Sequence, residues 1–364
     1  MKVTIELYEL PNEVREQIAM HTSEHSTLKI LGGDSEQFIR VAVAGNPNTP
    51  EEVLDKLAED EDMWVRSEVA ENPNTPAKVL EKLSYEYYSD IRVGGARNLK
   101  TPIKVLAELA KDDDDSVRFG VACNHNTPVE ILEKLACDDD YMVRAMVAIN
   151  PNAPTELLNK IAKDDNDYVI EKLAENPNLQ IETINYLLER KCYGAKMNLA
   201  KNPSMPKNIL KEFAYNKDCV YWIPNNPKVS ADILEILADT EEVEDAVKIA
   251  KHPLTNAKSL KLLLCNHRDF SVEKAIAENP NAPEELLESF ANYVEKEMRI
   301  AVAKNPSTPV KVLVKLANDD EYDVRRAIVC NTTLEFNSER ENNEAISRSC
   351  MFPEESDLGD WLKK

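Results

Sequence analysis

Hydrophobic residues follow a pattern that returns about every 26 residues along most of this chain. Each unit carries an Asn followed by Pro, as in Asn46-Pro47-Asn48-Thr49-Pro50, and then Leu at eight and eleven positions after the Asn, as at Leu54 and Leu57. A spacing of three residues predicts one buried stripe on a helix. The Asn slot falls at residues 46, 72, 98, 124, 150, 176, 202, 226, 252 (His), 279, 305 and 331. Such a fixed period is typical of a repeat array.

Polar residues divide each unit into two predicted helices. Thr49 is expected to cap the first helix with its side-chain oxygen, and Pro50 is expected at the first helical position, where its missing N–H costs nothing. Acidic residues such as Asp60 to Asp62 suit the positive end of the second helix. Asn72 is expected to end that helix in the left-handed conformation, because Pro follows it.

One pair of short helices cannot bury its own apolar stripe, so pairs must stack on each other. The chain is therefore predicted to be an all-α solenoid of about twelve two-helix repeats. We expect an N-terminal cap and degenerate repeat at residues 1–39, the repeat solenoid at 40–333, and an acidic C-terminal tail at 334–364. The tail is predicted to be partly disordered or to cap the array, or to act as a linear binding motif. Residues 1–7 alternate like a strand.

The unit Val-Arg-x-x-Val-Ala-x-Asn-Pro-x-Thr-Pro-x-x-x-Leu-x-x-Leu-Ala-x-Asp resembles the leucine-rich repeat variant family, most closely at residues 40–75 and 299–325. This resemblance implies a right-handed superhelix in which α-helices alternate with short α or 3₁₀ helices. The unit is also similar to HEAT and armadillo-type repeats, and both names imply a binding scaffold. A known member of the variant family carries an iron–sulfur cluster held by cysteines before its repeats. The first Cys here is Cys123, so no cofactor is expected.

Arginine recurs at one slot of the second helix, six residues after an acidic residue, for example Arg118 after Asp112. Stacked repeats would place these side chains in parallel rows, where each Arg bridges carboxylates or carbonyls within or between units. We interpret this ladder as structural; the alternative is that it grips an acidic peptide or phosphate groups. The predicted ladder consists of Arg40, Arg66, Arg92, Arg118, Arg144, Arg299 and Arg325.

The repeats between about residues 203 and 252 are irregular and lack the arginine. One unit is shortened and places Pro224 where Ala is usual, which should break its second helix. Its aromatic residues Tyr215, Tyr221 and Trp222 are candidates for binding a partner, since Trp and Tyr are favoured interface anchors. The alternatives are that they only fill a gap, or that a hidden active site has titratable groups converging near them.

The formal net charge of −22 disfavours nucleic acid and favours a basic protein or peptide as partner. The acidic stretches lack the spacing of a calcium loop, and the five His have no neighbours that indicate a metal site, so neither a metal nor catalysis is expected. Scattered cysteines without C-x-x-C indicate reduced thiols and a cytoplasmic protein. Without a long apolar run, no membrane span is expected. The sequence therefore predicts a non-catalytic binding scaffold, with nucleic-acid or phosphate binding through arginines as the alternative.

Overall fold

The computed structural model describes residues 7–217, 219–329 and 331. The chain divides into two compact units, Met1–Ser204 and Met205–Lys364. The predicted strand at residues 1–7 lies outside the described residues except for Leu7, which begins a 3₁₀ helix. The predicted tail at 334–364 also lies outside them. The limits at residues 39 and 333 stay predictions.

The first unit is helical throughout its described elements. After the 3₁₀ helix Leu7–Glu9 come α1 (Asn12–His21), α2 (His25–Leu31), α3 (Gln37–Gly45), α4 (Glu51–Leu57), α5 (Met63–Glu71), α6 (Ala77–Leu83), α7 (Ser89–Arg97), α8 (Ile103–Leu109), α9 (Asp115–Cys123), α10 (Val129–Leu135), α11 (Tyr141–Ile149), α12 (Thr155–Ile161), α13 (Asp167–Leu173), α14 (Ile181–Glu189) and α15 (Tyr193–Lys201). From α2 to α15, even-numbered helices are the first of a repeat and odd-numbered helices the second; from α17 onward the numbering is reversed.

The second unit continues the alternation with one interruption. It contains α16 (Lys207–Tyr215), the 3₁₀ helix Ile223–Asn225, α17 (Ala231–Leu237), α18 (Val243–Lys251), α19 (Ala257–Asn266), α20 (Phe270–Glu278), α21 (Glu284–Phe290), α22 (Lys296–Lys304), α23 (Val310–Leu316) and α24 (Tyr322–Ile328). The described elements of both units are thus all helical, and the predicted α-solenoid of two-helix repeats is confirmed. In the regular repeats both helices are α-helices, which is the short-α form that the resemblance allowed beside 3₁₀.

The core of each unit lies between its two rows of helices. Successive second helices pack directly on one another, as α5 does on α7 and α7 on α9. The predicted stripe is buried, with Leu54 fully inaccessible and Leu57 nearly so. Val65 and Val69 face it from the second helix. Burial of these aliphatic side chains against neighbouring repeats is what a single pair could not achieve.

The predicted N-cap is wrong. Pro50, not Thr49, occupies the cap position of α4, and no side chain caps that helix. The Thr49 hydroxyl is fully buried and donates instead to the Val43 carbonyl, 2.6 Å away, in the last turn of the preceding helix. The threonine therefore satisfies a carbonyl at the end of one helix, whereas an N-cap would accept an N–H at the start of the next.

The predicted left-handed Asn is wrong too. Asn72 has an extended backbone (φ −64°, ψ 127°), as do the cap residues Asn46, Asn98, Asn124, Asn150, Asn202, Asn279 and Asn305. Its buried Nδ2 donates to the carbonyls of Ala44 (2.5 Å) and Asn46 (2.8 Å) in the preceding repeat, and its Oδ1 accepts from the Asn74 N–H. The same double donation is made by Asn46, Asn98, Asn124, Asn150, Asn176, Asn202, Asn279, Asn305 and Asn331. We call these residues the asparagine ladder.

One buried polar atom breaks the regular satisfaction of polar groups. Ser259 is fully buried on α19, and its Oγ has no hydrogen-bond partner in the described part of the chain. The corresponding slot elsewhere holds aliphatic residues such as Val53 and Val79. We expect Ser259→Ala to raise the free energy of unfolding by about 1 kcal/mol, because an unpaired buried hydroxyl is removed. Chemical denaturation measures the change. The control is Ser84→Ala, which removes a buried hydroxyl that donates to the Leu80 carbonyl and should destabilise the protein. Destabilisation by both substitutions would contradict the prediction for Ser259.

Candidate functional site

The predicted ladder arginines reach the acidic residue of the next repeat. Arg118 Nε and Nη2 donate to the two carboxylate oxygens of Asp138 at 2.7 and 2.9 Å. The same bidentate pairing joins Arg40 to Asp60, Arg92 to Asp112, Arg144 to Asp164 and Arg299 to Asp319, while Arg66 donates through Nε to Glu86. Arg15 and Asp34, which the sequence did not single out for the ladder, form an equivalent buried pair.

The third guanidinium nitrogen binds backbone. Arg118 Nη1 donates to the carbonyls of Asp112 (2.8 Å) and Asp113 (3.2 Å), so the acid six residues earlier supplies its main chain and not its carboxylate. Arg325 makes the corresponding bonds to the carbonyls of Asp319 and Asp320. Each complete site thereby links two repeats through charge-assisted hydrogen bonds.

Five ladder aspartates have pKa values below their ordinary value. Burial alone would raise the pKa of Asp138, but the hydrogen bonds from Arg118 and from the Asp140 N–H outweigh it and lower the pKa. The same balance lowers the pKa of Asp60, Asp112, Asp164 and Asp319. These ion pairs are charged at neutral pH, and phosphate binding by the arginines would require them to break.

Where the arginine is missing, other side chains bind the same backbone. The slot that precedes Arg190 by twenty residues holds Ile170, and Arg190 from the next repeat donates to the Asp164 carbonyl at 2.6 Å. In the second unit the slot holds Ala246, and His267 Nε2 lies 3.0 Å from the Thr240 carbonyl. These replacements come from the following repeat, so the slot-by-slot reading of the sequence missed them.

At one position of the ladder, the arginine is replaced by an acid and the acid by a tyrosine. Glu273 occupies an arginine slot and Tyr293 the matching acid slot, and the Tyr293 hydroxyl donates to Glu273 Oε2 at 2.7 Å. Burial and this hydrogen bond raise the pKa of Tyr293 to about 12. The contact between repeats is kept although neither side chain follows the ladder pattern.

The acidic stretches have three roles. The first acid of a stretch pairs with the ladder Arg, and the last caps the second helix, as Asp62 does by accepting from the Trp64 and Val65 N–H groups. The acids between them are exposed, for example Glu61 and Asp113. Among the residues that the structure describes, no group of three or more His, Cys, Asp or Glu could hold a metal ion.

The candidate residues of the irregular repeat lie in the second unit. Its second helix is reduced to the 3₁₀ turn Ile223–Asn225, as Pro224 predicts. Tyr215 is 65% exposed and Tyr221 41% exposed. The Tyr221 and Trp222 rings meet edge to face at 4.8 Å between centroids. The ammonium of Lys248 lies 3.7 Å from the Tyr221 ring centroid and 5.4 Å from that of Trp222, in cation–π contact.

Two residues near this turn have strained backbone angles, and a nearby carboxyl has a raised pKa. Lys217 and Cys219 have positive φ values of 54° and 58°, which are uncommon for residues other than glycine. Asp245 lies three residues before Lys248 on α18, and burial raises its pKa. The turn thus presents aromatic rings from a strained backbone, a feature more frequent at functional sites than elsewhere.

Comparisons with known proteins bear on the repeat unit. Residues 38–62, from the start of α3 through α4 to the acidic stretch, match the family model described as leucine rich repeat variant. The resemblance to the leucine rich repeat variant is confirmed. A solved structure described as a leucine-rich repeat variant with a novel repetitive protein structural motif is 20% identical, over 75% of this chain and 87% of that one, with a TM-score of 0.33.

A second similar structure is described as an engineered protein. It is 17% identical over 87% of this chain and 92% of its own, with a TM-score of 0.24. The comparison with curated proteins found no match. The leucine rich repeat variant unit and the helical repeats together give this chain a repeat-protein scaffold, a class associated with protein binding in general and typically non-catalytic. No described helix is long and apolar enough to cross a membrane.

Proposed function

We propose that this chain is a non-catalytic scaffold that binds a protein partner, and that the irregular repeat of the second unit supplies one contact surface. The observation that carries the proposal is the turn at residues 219–225, where a helix of the regular pattern is replaced by a loop that presents Tyr221 and Trp222. Exposed Tyr and Trp side chains are favoured anchors at protein interfaces.

Two neighbours support this role. Tyr215, at the end of α16, is largely exposed and extends the aromatic surface from the preceding helix of the same unit. Lys248 adds a positive charge over the rings, so the surface suits a partner with an acidic or carbonyl-rich contact. The regular faces of the scaffold, whose net charge is −22 over the whole chain, suit basic partners instead.

The test is capture of a partner followed by measurement of its affinity. Proteins retained from native lysate by the intact chain would be identified by mass spectrometry, produced separately and titrated. We expect Tyr215→Ala to weaken binding of the true partner about tenfold or more, because interface Tyr residues often contribute above 1 kcal/mol. The double variant Tyr221→Ala, Trp222→Ala should abolish capture while keeping the wild-type helical circular dichroism.

Tyr186→Ala is the matched control. Tyr186 is a similarly exposed tyrosine on α14 of the first unit, and its removal should leave the affinity unchanged. A partner that binds wild type and both irregular-repeat variants with equal affinity would overturn the assignment of this surface. Cys123, Cys137, Cys192 and Cys265 are free thiols, which supports the proposed location in the reducing cytoplasm.

Phosphate or nucleic-acid binding through the ladder is the second candidate, and no geometric observation favours it. Arg118 is representative, because its guanidinium donates to one carboxylate and two carbonyls. A phosphate could displace Asp138 only by breaking a link between repeats. Salt-dependent binding of DNA by the intact chain would support this alternative over the proposed one.

A further inference from the structure

The first unit exposes aromatic rings at one end of its second helices. Trp64 begins α5 and is 56% exposed, Tyr87 and Tyr88 precede α7, Tyr141 begins α11, and Tyr193 begins α15. Tyr141 contacts Tyr168 of α13 edge to face at 5.9 Å, which places the ends of successive second helices within reach of one bound chain. We call these rings the aromatic edge. The helix α9 begins with Asp115 and Ser116 and contributes no ring, so the row has one gap. Exposed apolar patches on soluble proteins often mark interaction sites.

Exposed carboxylates that form no ion pair with any described residue lie before or between these rings in the sequence. Glu61, Asp113, Asp139 and Asp165 occupy the same slot in four repeats and are exposed. Their side chains make no hydrogen bond or ion pair with any described residue, unlike the neighbouring acids that pair with ladder arginines or cap helices. A carboxylate beside an aromatic face is the combination that attracts a guanidinium or ammonium group.

The backbone under these carboxylates is held in place. Ladder arginines donate to the carbonyls of Glu61 (3.2 Å), Asp113 (3.2 Å) and Asp139 (3.1 Å). The exposed side chains are therefore presented from fixed positions in three repeats, of which those of Asp113 and Asp139 are consecutive. Such preorganisation lowers the entropy cost of binding.

We propose that the aromatic edge binds an extended, arginine-rich segment of a protein partner. The guanidinium groups stack on the exposed rings and pair with the carboxylates between them. Packed helices are about 8–10 Å apart, and a chain in the polyproline II conformation rises about 3.1 Å per residue with three residues per turn. Every third side chain of such a partner points the same way, about 9 Å from the last, and so meets successive repeats. This surface lies in the first unit and differs from the one assigned to the irregular repeat.

The experiment titrates the intact protein with a labelled synthetic peptide of six Arg-Ser-Ser triplets and follows fluorescence anisotropy. Two variants remove the edge without touching the ladder. The ring variant carries Trp64→Ser, Tyr141→Ser and Tyr193→Ser. The charge variant carries Glu61→Gln, Asp113→Asn, Asp139→Asn and Asp165→Asn. We expect each to weaken binding by about tenfold or more, since several stacking and charge contacts are lost together.

A matched control separates recognition from general attraction to an acidic protein. Glu51, Glu130, Glu156 and Glu182 are exposed first-turn residues of first helices, and changing all four to Gln removes the same charge. This control should bind within about twofold of wild type at physiological salt, where exposed charges beyond a Debye length are screened. A peptide with its six Arg in one block should bind more weakly than the triplet peptide.

Equal losses in the charge variant and the matched control would overturn the proposal, because binding would then follow net charge alone. Wild-type affinity in the ring variant, or no binding of the peptide to the intact protein, would overturn it as well. The changed residues are exposed, and circular dichroism checks that both variants keep the native helix content. The peptide titration needs no cellular partner, so its outcome is independent of the capture experiment on the second unit.

Discussion

Replacing Asn124 by Ala should lower the free energy of unfolding by about 3–5 kcal/mol, the largest loss that we expect from a single substitution. Asn124 is 1% exposed, and its Nδ2 donates to the carbonyls of Ala96 (2.8 Å) and Asn98 (2.9 Å). Its Oδ1 accepts from the Asn126 N–H at 2.8 Å. The alanine variant removes the buried donor of the Ala96 carbonyl, leaves the Asn98 carbonyl with only the Thr101 N–H, and removes the acceptor of the Asn126 N–H. It also opens a gap between consecutive repeats. Urea denaturation followed by circular dichroism measures the loss.

Asn126→Ala is the control for this prediction. Asn126 lies two residues further on and also donates to the preceding repeat, at the Leu99 carbonyl, but this bond is exposed to solvent. Water can replace it, so we expect a loss below about 1 kcal/mol. Similar losses in the two variants would contradict a special role for the buried asparagine ladder. Because repeats couple mainly to their neighbours, the Asn124 variant is also expected to broaden the transition.

Breaking one rung of the arginine ladder should have the second largest effect. Arg118→Met leaves the Asp138 carboxylate mostly shielded from water, with 8% of its side chain exposed and without the guanidinium that is bonded to it. We expect a loss of about 2–4 kcal/mol, somewhat below the range for fully buried pairs. The double variant with Asp138→Asn, which keeps an acceptor for the Asp140 N–H, should recover part of the loss. A double-mutant cycle gives the coupling energy, which should be about 1–3 kcal/mol.

The pair of Arg118 and Asp138 should also make stability depend on pH. The pKa of Asp138 is lower in the folded chain than its ordinary value, because the bonds from Arg118 and the Asp140 N–H outweigh burial. Its contribution to stability is therefore complete above the unfolded pKa of about 3.9 and is lost as pH falls through the lowered folded pKa. The Arg118→Met, Asp138→Asn variant should lose less stability than wild type on acidification from pH 5.

The exposed pair of Lys104 and Glu81 provides the comparison for both experiments. More than a third of each of these side chains is exposed, so Lys104→Ala should cost less than about 1 kcal/mol. If Arg118→Met lowered the free energy of unfolding no more than Lys104→Ala does, shielding the ion pair from water would add nothing to stability.

Local sequence patterns predicted the helices well and their ends poorly. The spacing of Leu54 and Leu57 depends only on the geometry of one helix, and both leucines are buried as expected. The role of Thr49 depends on a carbonyl in the preceding helix, and the role of Asn72 on carbonyls about one repeat earlier. The repeat period could have indicated the contact of Asn72 with the preceding repeat. An Asn that recurs at one slot of stacked repeats lies next to the same slot of its neighbours, as the ladder arginines do.

The candidate surfaces show the same division. The sequence indicated an irregular repeat with Tyr221 and Trp222, but the position of Lys248 over those rings depends on a helix more than twenty residues away. The aromatic edge was not predicted, because Tyr141 and Tyr193 share one slot of the repeat, Trp64 lies in the next slot, and some repeats carry no aromatic residue at either. A shared edge becomes visible only when the second helices are stacked.

The sequence by itself determined the repeat, its two helices and the apolar stripe, because these follow from spacing within about one period. Tertiary structure decided which carboxylate each Arg reaches, which carbonyls each Asn satisfies and which acids stay exposed. These contacts form between neighbouring repeats. Because a buried polar group without a partner costs free energy, the buried groups there are paired with each other. The acids left exposed by this selection, beside the aromatic rings, are the groups available to a partner.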